Sequence, residues 1–359
     1  MKRSLALVAL IGTVTGAALL VSPPAASGTD QAVTIRFGAA DPGGARRGPA
    51  AVSQQLSDPL PSHDGVAQYW TQRRMASATP AHRLPHRPPD VAAIIDRALG
   101  AASVGQSERS RPERVPGAEP DPASRASKGK ASAARREGNP WTSGGAVAST
   151  TGRLFFTQAG HDYVCSGSAI GSGNHDVVLT AGHCLHDGYE WSRRVVFIPG
   201  YDNGRRPAGT FRARRLVAPS AWTQSGNPNH DVGFAVTRPR NGRHLTDAVG
   251  GQGIAFNQPR GQYMYAFGYP SAQPYHGGDL VYCAGRVRDD PFNTSAQGMD
   301  CRMTSGASGG PWFVGFDARS GRGLANSVTS FGYGELPGVM FGPYFGDIAR
   351  QAYRRASSL

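Results

Sequence analysis

Thr304-Ser305-Gly306-Ala307-Ser308-Gly309-Gly310-Pro311 sets one serine inside a glycine-rich turn. Glycine takes backbone conformations that a Cβ forbids, and it clears room for a substrate to approach. A serine hydroxyl is a weak nucleophile until a base takes its proton and a third group orients that base. Glycine-serine turns are also common in ordinary loops. The stretch therefore decides nothing until a histidine and a carboxylate are found for it.

Two other stretches offer them. Leu179-Thr180-Ala181-Gly182-His183-Cys184 carries a histidine just past a β-prone run, and Asn229-His230-Asp231-Val232-Gly233-Phe234-Ala235-Val236 sets an aspartate at the mouth of another. Each alone reads as structural, a loop histidine and a turn carboxylate. Chain order sorts the combinations. The Gly-x-Ser-x-Gly elbow of α/β-hydrolases needs its acid and then its histidine after the serine. The last histidine here is His276, so that order fails. An Asp, His, Ser order with Asp162 or Asp176 is formally possible, but the texture around it is not that of an α/β sheet. His183, Asp231 and Ser308 remain.

That texture is a series of short β-prone runs from Trp141 onward, parted by Gly, Pro, Asn and Asp: 176–180, 194–198, 231–236, 262–267, 279–283 and 310–314. Regular short strands with glycine-rich turns predict an all-β sandwich or barrel arrangement. The end differs: Gly346 to Arg354 reads as a short capped helix, with Ile348, Ala349, Ala352 and Tyr353 on one face.

Thr180-Ala-Gly-His-Cys184, Asp231-Val-Gly-Phe-Ala235 and Gly306-Ala-Ser-Gly-Gly-Pro311 together resemble the trypsin-like serine peptidases, on the bacterial side that includes the glutamyl endopeptidases. The likeness covers roughly residues 141–359. It implies two six-stranded antiparallel β-barrels packed together, with a short C-terminal helix. It implies a serine endopeptidase with His183 as base, Asp231 as its orienting acid and Ser308 as nucleophile, and with the backbone N–H groups of Gly306 and Ser308 as oxyanion hole. Ser330-Phe331-Gly332 resembles the family's Ser-Trp-Gly segment, with Ser330 near the buried aspartate and the Phe331-Gly332 backbone pairing with substrate as an added strand.

Two departures stand out. Ala307 precedes the serine where animal digestive members carry Asp, so the ion pair between that Asp and a new N-terminus cannot form here. Arg302, six before the serine, would favour acidic side chains, but Thr329 stands where glutamyl endopeptidases usually show histidine. A catalytically inactive binding module on the same fold is the alternative function; the intact His183, Asp231, Ser308 and Gly306 argue against it.

The four cysteines, Cys165, Cys184, Cys283 and Cys301, allow three pairings. In an oxidising compartment two local bridges are economical, Cys165 with Cys184 and Cys283 with Cys301. The first matches the family's bridge beside the catalytic histidine. No C-x-x-C pair is present, and no metal or cofactor is expected.

Export fits the N-terminus. Lys2 and Arg3 precede an apolar run to Val21 and small residues Ala25-Ala26-Ser27, which reads 1–27 as a signal peptide. Residues 28–140 form a Pro-, Ala-, Ser-, Gly- and Arg-rich leader, weakly structured apart from a helix at Val91–Leu99, and are read as a removable pro-segment. Arg135-Arg136 is an easy processing target. The peptidase domain is then 141–359, expected to be secreted, extracellular, monomeric and free of the membrane once the signal is cut. The formal net charge of +13 in 359 residues implies weak polyanion attraction, but no nucleic-acid fold accompanies it. The expected partner is a protein or peptide substrate. Asn293-Thr294-Ser295 is formally a glycosylation acceptor.

Overall fold

The structure, a computed structural model, describes residues 50–56, 65–81, 110–121, 138–292 and 294–359. Residues 1–27, the Val91–Leu99 helix, Arg135-Arg136 and Asn293 lie outside them. The described leader contributes strand β1 (Ala51–Gln55), helices α1 (Gly65–Tyr69) and α2 (Gln72–Ser77), and strands β2 (Thr79–Pro80) and β3 (Glu113–Val115). Strand β4 (Asn139–Pro140) follows at the edge of the main β structure.

Six strands form the first barrel: β5 (Thr151–Gln158), β6 (His161–Ile170), β7 (Val177–Thr180), β8 (Arg193–Pro199), β9 (Phe211–Pro219) and β10 (Gly233–Thr237). They pair in the order β9-β10-β7-β6-β5-β8, and β8 returns to β9, so the sheet closes on itself. Every pair is antiparallel. The β8–β9 closure covers only the start of β9 and leaves the rest of that edge to another strand. The β5–β6 hairpin turns on Ala159 and Gly160, at φ 46° and 80°. Two positive φ values in a two-residue loop match the right-handed twist of the strands.

The second half builds a further β assembly from β11 (Gly253–Phe256), β12 (Tyr263–Gly268), β13 (Val281–Arg286), β14 (Arg288–Asp289), β15 (Gln297–Asp300), β16 (Pro311–Asp317), β17 (Arg322–Val328) and β18 (Val339–Gly342). Its ladder divides into a seven-stranded sheet, β3-β11-β17-β16-β12-β13-β4, and a three-stranded one, β14-β15-β18. One core runs through both halves, including Phe155, Phe197 and Phe234 of the first and Phe267, Tyr282 and Phe313 of the second. A satellite cluster holds both cysteines of the second pair with Met264, Met299, Met303, Ala307 and Trp312.

The C-terminal helix runs Asp347–Ser357 and buries Ala349, Ala352, Tyr353 and Ala356. Spacings of three and four put these on one stripe, and Ile348 is only half-buried. The outer face of this helix holds part of the leader. Glu113 accepts from Arg350 Nη1 at 3.1 Å and from Arg354 Nη2 at 2.8 Å.

Partial burial would raise the Glu113 carboxyl, but the two guanidinium bonds outweigh it and hold the group below its ordinary 4.5. A depressed carboxylate stabilises the fold above its unfolded pKa and loses that contribution as pH falls through the folded value. With Arg354 well exposed, solvent screening keeps the gain to about 1 kcal/mol, or roughly 3 °C. Glu113→Gln should therefore melt about 3 °C below the parent at pH 6, with the gap closing once the pH drops well under 4.5. Thermal unfolding across that range checks it; a gap that persists at low pH would contradict the assignment.

Candidate active site

Strand β7 leads straight into His183. Its last residue, Thr180, donates to the Ser166 carbonyl at 2.8 Å, and the chain then turns through a 3₁₀ segment, Gly182–Cys184. The Cys165–Cys184 disulfide ties that turn back to β6. Asp231 lies just before β10, which pairs directly with β7. Two neighbouring strands of one closed barrel thus bring His183 and Asp231 together.

The contacts between them are specific. Asp231 Oδ1 accepts the backbone N–H of His183 at 2.7 Å. Asp231 Oδ2 faces His183 Nδ1 at 2.8 Å and also accepts the Ser330 hydroxyl. Both side chains are buried, His183 at 1% and Asp231 at 3% exposure. Burial alone would push the Asp231 carboxyl up, but the His183 imidazole, the Ser330 hydroxyl and the His183 backbone N–H together hold it below the usual range. The group stays an anion. An anion at Nδ1 fixes the tautomer that leaves Nε2 as the basic nitrogen.

Ser308 comes from the second half, on the turn ahead of β16. The Ser166 N–H donates to the Ser308 carbonyl at 2.7 Å, and the Gly309 N–H donates to Thr329 at 2.7 Å. The turn presses directly on the segment that carries His183. Gly309 sits at φ +77°, and a Cβ built there would lie 2.1 Å from Thr180 Oγ1, 2.5 Å from the Ser166 carbonyl and 2.7 Å from the Ala181 nitrogen. Gly306, at φ +96°, leaves equally little room against Tyr269 and Ser271. Two of those obstacles to Gly309 are backbone and cannot swing away. Gly309→Ala should cost about 3 kcal/mol, from left-handed strain plus overpacking. Urea unfolding measures it; a loss under about 1 kcal/mol would mean that the turn has slack.

Among the described residues, no backbone or side-chain acceptor takes the N–H of Gly306 or of Ser308. Ala307 between them is fully buried in the apolar satellite cluster.

Beside Ser308 opens a cavity of about 630 Å³, walled by 301–305, 329–333 and 336–340. Arg302 is the one charged side chain among its lining residues. Thr329 is nearly buried and accepts the Trp312 indole N–H at 2.9 Å. Phe331, also in the cavity wall, is tied to a neighbouring strand. Its N–H donates to the Phe341 carbonyl at 3.2 Å, and its carbonyl accepts the Phe341 N–H at 2.8 Å. Both polar groups of its main chain are thus paired within the fold.

The remaining sequence expectations fare differently from one another. Both cysteine pairs are bridged, the second as Cys283–Cys301. Asp162 is engaged by Tyr69 and Arg74 of the leader, and Asp176 by His244; neither is among the partners of His183. His186 is buried, its Nδ1 accepts the Gly188 N–H, and burial lowers its pKa. Ser166 went unnoticed in the sequence. Besides its contact with Ser308, it donates to the Gly306 carbonyl at 2.8 Å and accepts the Tyr269 N–H at 2.9 Å. One small hydroxyl from the first barrel thereby pins the Ser308 turn of the second half.

Comparison with known proteins places these features. The trypsin-like peptidase domain family matches residues 165–320. A thermostable serine protease, AL20, from an extremophilic microorganism is 45% identical, with TM-score 0.57, over 59% of this chain and 99% of its own. The protease Anisep from Arthrobacter nicotinovorans is 42% identical, also at TM-score 0.57, over 59% and 96%. A Glu endopeptidase, at 18% identity and TM-score 0.50 over 65% and 97%, shares the fold. No curated protein sequence matches the chain. With two such serine proteases covered almost end to end, the chain belongs to the trypsin-like serine peptidases and is a serine endopeptidase.

Proposed function

We propose that the chain is a secreted endopeptidase, made as a pre-pro-enzyme, that cleaves peptide bonds through His183, Asp231, Ser308 and an acyl-enzyme intermediate. Asp231 carries the reading. One buried carboxylate takes both the backbone N–H and the ring of His183, while Gly309 wedges the Ser308 turn against the residues leading into that histidine.

Ser308 Oγ attacks the scissile carbonyl as His183 Nε2 accepts its proton. The carbonyl oxygen, now an anion, is held by the Gly306 and Ser308 N–H groups. Collapse expels the amine, which takes the proton from His183, and leaves an ester on Ser308. Water, deprotonated by His183, attacks that ester and returns the enzyme. Throughout, Asp231 stabilises the imidazolium without itself becoming protonated. The substrate strand pairs with the Ser330 carbonyl and Gly332.

Arg302 gives the cavity a cationic wall, which favours an acidic residue before the cut. A peptide panel varying that residue checks this role; preference for an apolar or basic residue would remove it.

Signal 1–27, leader 28–140 and peptidase 141–359 are the proposed divisions. Two disulfides suit an oxidising compartment, and no helix among the described residues is long and apolar enough to cross a membrane. Removal of the leader would act by unblocking the cleft or by assisting folding. A fluorophosphonate probe tests the central reading. Stoichiometric labelling of Ser308, abolished in His183→Ala, is expected. A folded protein that stays unlabelled would leave the inactive binding module.

A further inference from the structure

The leader is built into the barrel more firmly than a disposable segment requires. Strand β9 pairs β8 only near its start, at Phe211 and Arg212. Beyond that point β1 takes over the same edge, from Gln55 opposite Arg215 to Ala51 opposite Pro219. The Leu56 N–H donates to the Arg214 carbonyl at 3.0 Å, and the Ser220 N–H to the Ala50 carbonyl at 3.1 Å. Alternation along an antiparallel ladder then gives the N–H groups of Val52 and Gln54 to β9 as well. Removing β1 would bare that edge.

A plug reinforces the strand. Trp70 is 1% exposed and its ring lies 5.5 Å from Phe155 of the barrel. Its indole N–H donates to the Arg194 carbonyl at 2.7 Å, and Arg206 donates to the Trp70 carbonyl at 3.0 Å. Arg194 is a non-glycine residue at φ +49°, so the leader bonds a strained carbonyl of the barrel. Tyr69 donates to Asp162 at 2.7 Å, and Arg74 pairs with the other oxygen of the same carboxylate. An aromatic anchor in a desolvated socket, as Trp70 is, dominates many protein interfaces.

The second attachment lies elsewhere on the molecule. Strand β3 extends the second sheet beside β11, Glu113 grips the C-terminal helix, and Glu119 pairs with Arg322 at 2.8 Å. Residues 50–81 and 110–121 belong to one stretch of chain. Two attachments on one chain hold far longer than either alone, because each keeps the other at high effective concentration.

We propose that this leader is an interface partner retained after cleavage. A cut between 122 and 137 leaves a two-chain enzyme, with leader residues 50–121 bound non-covalently through the β9 edge and the Trp70 socket. The idea rests on the reading of 28–140 as a cleaved pro-segment, but its test does not. A foreign protease site placed at 126–131 of the full chain, carrying Ser308→Ala to prevent self-digestion, allows one defined cut.

After that cut, both fragments should co-elute in size-exclusion chromatography at one-to-one stoichiometry and remain together on dilution. Trp70→Ala should weaken their association by about 30-fold. Gln54→Pro, which removes a ladder N–H beneath an exposed side chain, should weaken it by about fivefold. Separate elution of the parent fragments in native buffer would overturn the proposal, and so would an affinity unmoved by both substitutions. N-terminal sequencing of the naturally exported protein tests processing itself. An uncut natural chain would refute the pro-segment reading while leaving the measured interface standing.

Discussion

His183→Ala is expected to lower kcat by about 10⁶-fold on a peptide amide substrate, with KM little changed. The size follows from what the imidazole does twice in each turnover. Without it, Ser308 must lose its proton to water, and the amine must leave unprotonated. Removing the base alone should cost nearly as much as removing the nucleophile too, because the two act as one unit. The residual rate would come from the Gly306 and Ser308 N–H groups and from substrate binding. The pocket should survive, since its walls come from the second half and not from the His183 turn. The Cys165–Cys184 bridge also holds that turn in place without the ring. Kinetics beside an unfolding curve separate chemistry from folding. Activity within tenfold of the parent, in a protein of unchanged stability, would remove His183 from the mechanism.

The candidate site was legible in the sequence because the residues proposed for it sit at strand ends with small, turn-forming neighbours. Runs 176–180, 231–236 and 310–314 mark β7, β10 and β16, the three strands beside which His183, Asp231 and Ser308 stand. Other strands were hidden for identifiable reasons. The β5–β6 hairpin turns on Ala159-Gly160, where an alanine occupies a left-handed position that asparagine or aspartate would have advertised. Strand β9 begins Phe-Arg-Ala-Arg-Arg and reads as polar chain, yet pairing with β8, β10 and β1 consumes its backbone. Ser166 could not be read at all, since its contacts span more than a hundred residues. Trp70 and Tyr69 in an otherwise low-aromatic leader were the available sign that part of it docks. Composition averaged over the whole stretch concealed them.

Asp231→Asn should reduce kcat by about 10⁴-fold while leaving the fold nearly intact. The two oxygens of Asp231 answer different donors, and an amide can satisfy only one side. Oδ1 accepts the His183 backbone N–H, a donor that cannot reverse its role. The asparagine carbonyl must therefore take that position, and its NH₂ then faces His183 Nδ1 in place of Oδ2. The ring responds by accepting at Nδ1 and carrying its proton on Nε2, the nitrogen that has to receive the proton of Ser308. The opposite flip sets two N–H donors against each other in a buried site, which costs about 1–3 kcal/mol. Ser330 adjusts in either case, because a hydroxyl can accept as readily as it donates. Ser330→Ala should accordingly cost far less activity than Asp231→Asn, since it leaves the tautomer alone. Proton resonances of the His183 ring would place the proton directly, on Nδ1 in the parent and on Nε2 in the variant. An Asn variant that keeps activity within tenfold, or keeps the parent tautomer, would mean that Asp231 positions the histidine by packing and not by charge.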